Sequence, residues 1–433
     1  MINLKKIFEY SKTKIDHPGV QKHTKNMGWM FFAKIASMAV TFFATAYIAR
    51  NLGPTNYGQL SYAISFVSIF SFLSSLGVEQ VLYRDLIKYP EKRNSYLGSA
   101  VFIRIVASIV TAIICIIVAT FLSPKDVSLS IISIISLTFV CGSFGLLSME
   151  FQADAQSKYP SIFSVTVVII LNLLKIVTIY RDGGVLYLAG IIVLEPILYS
   201  IMYIYLRKKF YGPLSGLRVE KKLVISLLKD SFPLLFASAF YLIYARIDQV
   251  MIKNMMGAEY VGLYDAAVRM SEISYFIPNI IVASLFPAIV NAKKVSEELY
   301  YKRIRKLLAT LFFVSAGIAL ITTLASSYIT LIIFGTGFIT ASSVLKIYVW
   351  SNIGAAINLL AQQILVAENL TKNVSLTIFF GMLSNVLLNL LLIPKYGMSG
   401  AAFASLVSYI IPFLSLFIFK TTRTLMINIL VKH

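Results

Sequence analysis

Apolar stretches long enough to cross a bilayer recur along the whole chain, separated by short polar turns. At ~1.5 Å of helix rise per residue, about 20 apolar residues cross ~30 Å of hydrocarbon. The pattern predicts twelve spanning helices, near 27–49, 58–80, 96–122, 127–150, 161–181, 184–206, 232–252, 258–290, 307–328, 340–366, 373–393 and 397–419. The break after the first run holds Arg50, Asn51, Gly53, Pro54 and Gly58. Its glycines permit a tight reversal, and Pro54 cannot continue the helix that precedes it. A second break, with Lys253, Asn254, Gly257 and Gly262, follows the same plan. An offset of 204 residues superposes Gly53 on Gly257, Gly58 on Gly262 and Ala63 on Ala267. With apolar runs matching on both sides, this reads as an internal duplication. Two pseudo-symmetric six-helix lobes, 1–206 and 232–433, are expected, joined by a basic linker, 207–231.

Composition agrees. With 58% hydrophobic residues, 13% charged residues and a mean hydropathy of +0.80, the chain reads as an all-α integral membrane protein. The net charge of +20 changes meaning once its placement is considered. Of 39 Lys and Arg residues, 28 fall in alternate connections that share the side of the N-terminus, and 5 fall on the other side. The bias is topological, places both termini in the cytoplasm, and leaves no basic domain for nucleic acid. The stretch from Leu4 to Ile15, with Lys5, Lys6, Lys12 and Lys14, is basic and amphipathic, as is Leu217 to Lys229. Both suit the inner membrane surface and its lipids.

The two cysteines, Cys115 and Cys141, sit in apolar runs, and the three histidines, His17, His23 and His433, sit in terminal segments. No metal set, cofactor motif or nucleophile–base pair is visible. The outer connections are too short for a catalytic domain, so the expectation is a protein that is not an enzyme.

The informative chemistry is charge at bilayer depth. Each such charge costs at least ~2.5–3.5 kcal/mol on insertion scales and is expected to face the bundle interior or a wet cavity. The basic candidates include Lys34, Arg104, Arg246 and Arg269; the acidic ones are Glu150, Glu195, Asp248, Asp265 and Glu272, with Glu79 near a helix end. Asp265, Arg269 and Glu272 follow an i, i+4, i+7 pattern on one helix face. Asn358 and Gln362, and Asn385 and Asn389, are paired at the same spacing. Charged faces on helices of both halves predict a polar cavity between the lobes. Ion pairing between helices is the competing reading for every one of these charges.

These strings resemble the polysaccharide transporter family that contains the O-antigen flippases. The matching residues are Ala49-Arg50-Asn51-Leu52-Gly53-Pro54 with Tyr57-Gly58, Ala245-Arg246-Ile247-Asp248-Gln249, Gly257 with Gly262 and Tyr264, and Pro394-Lys395-Tyr396-Gly397. The resemblance implies a V of two lobes in the exporter-superfamily fold, opening alternately to either side of a bacterial inner membrane. It implies a cargo of undecaprenyl-pyrophosphate-linked oligosaccharide. A polymerase and a chain-length regulator enter as further partners. Arg50, Arg246, Asp248 and Arg269 fall on its motif positions. The cationic set Arg269, Arg104, Arg50, Arg246 and Lys34 would then meet the diphosphate, since an arginine fork binds phosphate oxygens in pairs. Asp248, Glu195, Asp265 and Glu272 could take H⁺ or Na⁺ and couple transport to a gradient. Rival readings are a lipid II flippase, a cation-exporting antiporter of the same fold and, more distantly, a membrane polymerase or ligase.

Overall fold

The computed structural model describes residues 18–122 and 127–430. The basic N-terminal stretch from Leu4 to Ile15, together with Lys125 and His433, lies outside the described residues. Among those described there are helices and short 3-10 turns and no strand. The α-helices are α1 (Pro18–Ser75), α2 (Val78–Lys88), α3 (Arg93–Leu122), α4 (Val127–Cys141), α5 (Ser148–Ala153), α6 (Lys158–Tyr180), α7 (Val185–Phe210), α8 (Lys221–Met256), α9 (Ala258–Ser274), α10 (Phe276–Ala292), α11 (Glu297–Phe334), α12 (Ala341–Tyr348), α13 (Ser351–Ala367), α14 (Thr371–Ser408), α15 (Ile411–Ser415) and α16 (Lys420–Leu430).

Ten stretches of the described residues are long and apolar enough to cross a membrane. Two are too long for one crossing: Phe31–Lys88 has 58 residues and Thr371–Ser415 has 45, which at ~1.5 Å each would reach about 87 and 68 Å. Both are broken inside. The first bends at Gly53 (φ 74°, ψ 166°) and the second at Gly397 (φ 60°, ψ −140°). Divided there, the ten stretches become twelve, in line with the hydropathy pattern. Gly257 (φ 109°, ψ 173°) adopts nearly the conformation of Gly53, as the repeat predicts, and Gly335 (φ 86°, ψ −178°) repeats it again. Positive φ with ψ near 180° is open essentially to glycine alone, so these turns depend on the missing side chain.

Some connections assigned to the cytoplasmic side are helical extensions. Lys221–Lys229 forms the start of α8, continuous with the apolar part of that helix. Helix α11 begins well before its apolar run, capped by Ser296, whose hydroxyl accepts from the Leu299 amide at 3.1 Å. Glu297 and Glu298 fill its first turn, where the helix dipole favours acids.

The chain divides into two compact units. One falls within Met1–Thr45, Leu73–Phe121 and Ser133–Phe232; the other within Ala46–Phe72, Leu122–Ile132 and Pro233–His433. In the first unit, Arg207 is fully buried at the end of α7. It donates to the carbonyls of Gly212 (2.8 Å) and Pro213 (3.0 Å) and to Asn94 Oδ1 (2.6 Å), and faces Glu150 at 3.2 Å. One guanidinium thus ties together the starts or ends of three elements. The second unit has an apolar core that includes Leu307, Leu311, Leu360, Ile364 and Leu416. Elsewhere Phe121, Phe313 and Leu324 stand exposed on their helices, as expected where lipid takes the place of water.

Candidate functional site

In the second unit, the helix that follows Gly53 packs directly against α9. A Cβ on Gly58 would collide with the Ala258 carbonyl, and one on Gly262 would collide with the Pro54 carbonyl. Small residues let the two backbones touch. That proximity brings Asp265, on α9, beneath three side chains of the neighbouring helix and α8. Tyr57 donates its hydroxyl to Asp265 Oδ2, Ser61 does so at 3.0 Å, and Gln249 Nε2 reaches Oδ1 at 2.8 Å. Arg269, one turn along α9, adds its Nε at 2.6 Å. Ser65 completes the set by donating to Gln249 Oε1. Asp265 is buried and satisfied by four donors, one of them cationic. The ion pair uses only Nε of Arg269; its two terminal amino groups form no further hydrogen bond among the described residues, and its side chain keeps 27% of its exposure.

A second carboxylate, Asp248, next to Gln249 on α8, occupies a different environment. Its Oδ2 accepts from Tyr264 (2.7 Å) and Ser405 (2.6 Å), and its Oδ1 from Asn389 (2.5 Å). Asn389 in turn donates to Asn385 Oδ1 at 3.1 Å, and Asn385 to Ser408 at 3.3 Å. No Lys or Arg lies within 4 Å of Asp248 among the described residues. A buried carboxylate whose donors are all neutral can remain charged, and its surroundings also leave room for a proton or a small cation as the balancing charge.

Arg246 and Glu272 line a cavity of about 440 Å³ within the same unit. Its walls include Tyr241, Tyr275, Tyr348 and Tyr409 and the amides Asn279, Asn352, Asn358 and Gln362. Neither Arg246 nor Glu272 forms an ion pair among the described residues. Arg50 lies elsewhere, beside the Gly335 turn, where a Cβ on Gly335 would sit 3.2 Å from its Nε. It borders a cavity of about 430 Å³ with Pro54 and Phe338.

The remaining sequence candidates belong to the first unit. Arg104 faces Glu79 at 3.4 Å and is mostly buried. Lys34 is exposed and Glu195 half-buried, and neither forms an ion pair among the described residues. The structure therefore joins Asp265 to Arg269, sets Arg246 and Glu272 on one cavity, and gives Asp248 its own set of neutral donors. Sequence reasoning missed Tyr57, Ser61 and Gln249 as the donors that hold Asp265. One signal was present: Ser61 and Asp265 are separated by 204 residues, the repeat offset itself.

The described residues form a multi-pass helical membrane bundle, ten of its stretches being long and apolar enough to cross a bilayer, with several charges buried among them. The model of a family described as polysaccharide biosynthesis protein matches residues 23–293, more than half of the chain, and the chain belongs to that family. It is 21% identical over 405 residues to the capsular polysaccharide biosynthesis protein CapF of Staphylococcus aureus, covering 91% of this chain and 98% of that one. It is 22% identical over 410 residues to the probable low-salt glycan biosynthesis flippase Agl15 of Haloferax volcanii, covering 88% and 79%. Among solved structures, the lipid II flippase MurJ in an inward closed conformation superposes with a TM-score of 0.67 at 15% identity, covering 94% of this chain and 91% of that one. At that identity the likeness speaks for the fold.

Proposed function

We propose that the chain is a flippase that moves an undecaprenyl-pyrophosphate-linked oligosaccharide from the inner to the outer leaflet of a bacterial cytoplasmic membrane by alternating access. It acts without covalent chemistry, with both termini in the cytoplasm and membrane lipid around it. Family membership supports this reading, as do the names of relatives that serve capsule and glycan synthesis. A polymerase and a chain-length regulator are the partners that would take the cargo next.

The observation that carries the proposal is the tethering of Arg269. Asp265 holds it by Nε and leaves the fork of terminal amino groups uncommitted. A hydrated glycan and a diphosphate cannot enter hydrocarbon unaided, and a positioned guanidinium offers paired donors to phosphate oxygens. Arg104, Arg50, Arg246 and Lys34 are the further cationic groups available along the path. Asp248, with neutral donors only, is the strongest place for a coupling H⁺ or Na⁺; Glu195 and Glu272 are lesser ones. Asp265, paired with Arg269, serves chiefly to position it.

The test is reconstitution of the purified protein in liposomes that contain a fluorescent polyprenyl-diphosphate saccharide, with outer-leaflet appearance read by quenching. Wild-type protein should accelerate transbilayer movement, and Arg269→Ala at equal reconstituted amount should abolish it. Equal rates for protein-free, wild-type and Arg269→Ala vesicles would overturn the assignment.

A further inference from the structure

The cavity between α8, α9, α10, α12, α13 and α14 has a chemistry of its own. At about 440 Å³ it falls within the ~300–1,000 Å³ usual for small-ligand sites. Three of its asparagines each donate at least one N–H to the protein. Asn279 Nδ2 donates to the Tyr275 carbonyl (2.9 Å), Asn352 Nδ2 to Ser274 Oγ (2.8 Å) and the Ser271 carbonyl (3.1 Å), and Asn358 Nδ2 to the Tyr409 carbonyl (2.5 Å). Each amide is thereby fixed in orientation; the carbonyl oxygens of Asn352 and Asn358 have no donor among the described residues, and the Asn279 side chain also meets the Tyr275 side chain. Gln362 has neither end committed. Among the described residues the walls thus present fixed acceptors, the uncommitted amide of Gln362, and Arg246 and Glu272 without an ion pair, interleaved with tyrosine rings.

That set discriminates between ligand classes. An organic cation would be met by Glu272 but opposed by Arg246, and a diphosphate would meet the reverse. A purely apolar ligand would strand every one of the amides, at about 1–3 kcal/mol for each buried group left unpaired. A neutral polyol supplies hydroxyl donors to the fixed carbonyls, accepts from Arg246 and Gln362, donates to Glu272, and lays its C–H faces on the rings. We propose that this cavity is a saccharide subsite that holds a pyranose ring of the cargo. The assignment rests on the flippase reading and adds to it a binding site for sugar separate from Arg269.

The test uses the full chain in nanodiscs with two probes read separately. Methyl β-D-glucopyranoside and methyl N-acetyl-β-D-glucosaminide report on the subsite by saturation-transfer difference NMR. Inorganic pyrophosphate, followed by phosphorus line broadening, reports on Arg269. Tyr241 and Gln362 are suitable positions for substitution, because Tyr241 is 59% exposed and neither side chain holds another element by a hydrogen bond. Ring-proton saturation should be seen with at least one glycoside. It should weaken at least fivefold in both Tyr241→Ala and Gln362→Leu while pyrophosphate broadening is unchanged. Pyrophosphate broadening lost in Arg269→Ala, with no saturation of either glycoside, would overturn the subsite and leave the flippase reading standing. Loss of both signals in the wild-type protein would overturn both. Binding of tetraphenylphosphonium that depends on Glu272, without glycoside binding, would reassign the cavity to cations and overturn the proposal.

Discussion

Gly58 and Gly262 occupy each other's missing side-chain space. The Cβ position of Gly58 lies 2.8 Å from the Gly262 nitrogen, and that of Gly262 lies 3.1 Å from the Gly58 nitrogen. The contact is reciprocal, because Gly58 meets Ala258 as Gly262 meets Pro54, and both pairs obey the offset of 204 residues. Reciprocity of this kind is what a two-fold relation between equivalent segments produces. The duplication read from the sequence thus has a physical counterpart at this helix pair.

Substitution at either glycine should therefore be costly. Gly58→Ala and Gly262→Ala are each expected to destabilise by about 1–3 kcal/mol, the range for overpacking a tight contact. The double variant should cost less than the sum, since one separation of the helices relieves both clashes. Thermal unfolding followed by fluorescence-detected size exclusion checks this; wild-type melting of both single variants would refute the close approach.

The Asp265–Arg269 pair should be asymmetric under mutation. Arg269→Ala leaves Asp265 with Tyr57, Ser61 and Gln249, so folded protein should persist at near-normal amounts. Asp265→Ala removes the common acceptor and leaves a partly buried guanidinium unpaired, a loss of about 3–5 kcal/mol. Expression of folded protein should follow that order. The reverse order would mean that Arg269 is chiefly a structural partner and would weaken its cargo role.

Glu150 and Arg207, in the first unit, provide a structural control. Glu150→Gln should be mild, because Arg207 keeps three hydrogen bonds, to Gly212, Pro213 and Asn94. Arg207→Met should be severe, at about 3–5 kcal/mol, because it strands a fully buried carboxylate. Adding Glu150→Gln to Arg207→Met should recover part of the loss, which a double-mutant cycle would measure.

Asp248→Asn should keep the fold, since an amide can hold at least the donors on its oxygen. In proteoliposomes with an imposed H⁺ or Na⁺ gradient, it should flatten the dependence of transport on that gradient. Retention of the full gradient response would remove Asp248 from coupling.

Topology is open to direct measurement. Reporter fusions at Gly216 and Lys294 should read cytoplasmic, and fusions at Thr55 and Gly397 external. An external signal at Gly216 would contradict an even number of crossings before it.

Much of this molecule was legible in one dimension. In hydrocarbon every backbone group must bond within its own segment, so span length and charge bias follow from local composition. The sharp turns at Gly53 and Gly257 were readable for the same reason, because a backbone state open only to glycine marks its residue in the sequence. The i, i+4 relation of Asp265 to Arg269 was likewise visible, since one helix places both on one face. What sequence could not supply was the rotation and crossing of separate helices. Tyr57 on Asp265, and Asn389 and Ser405 on Asp248, come from distant parts of the chain, and Gln249 reaches Asp265 from the neighbouring helix. Only packing decides that one carboxylate receives a guanidinium while the other receives neutral donors. Arg207 makes the point most plainly, for its charge suggests a solvated connection and its contacts bury it. Side-chain partnership between helices is a property of their distances in space, and spacing along a single helix does not contain it.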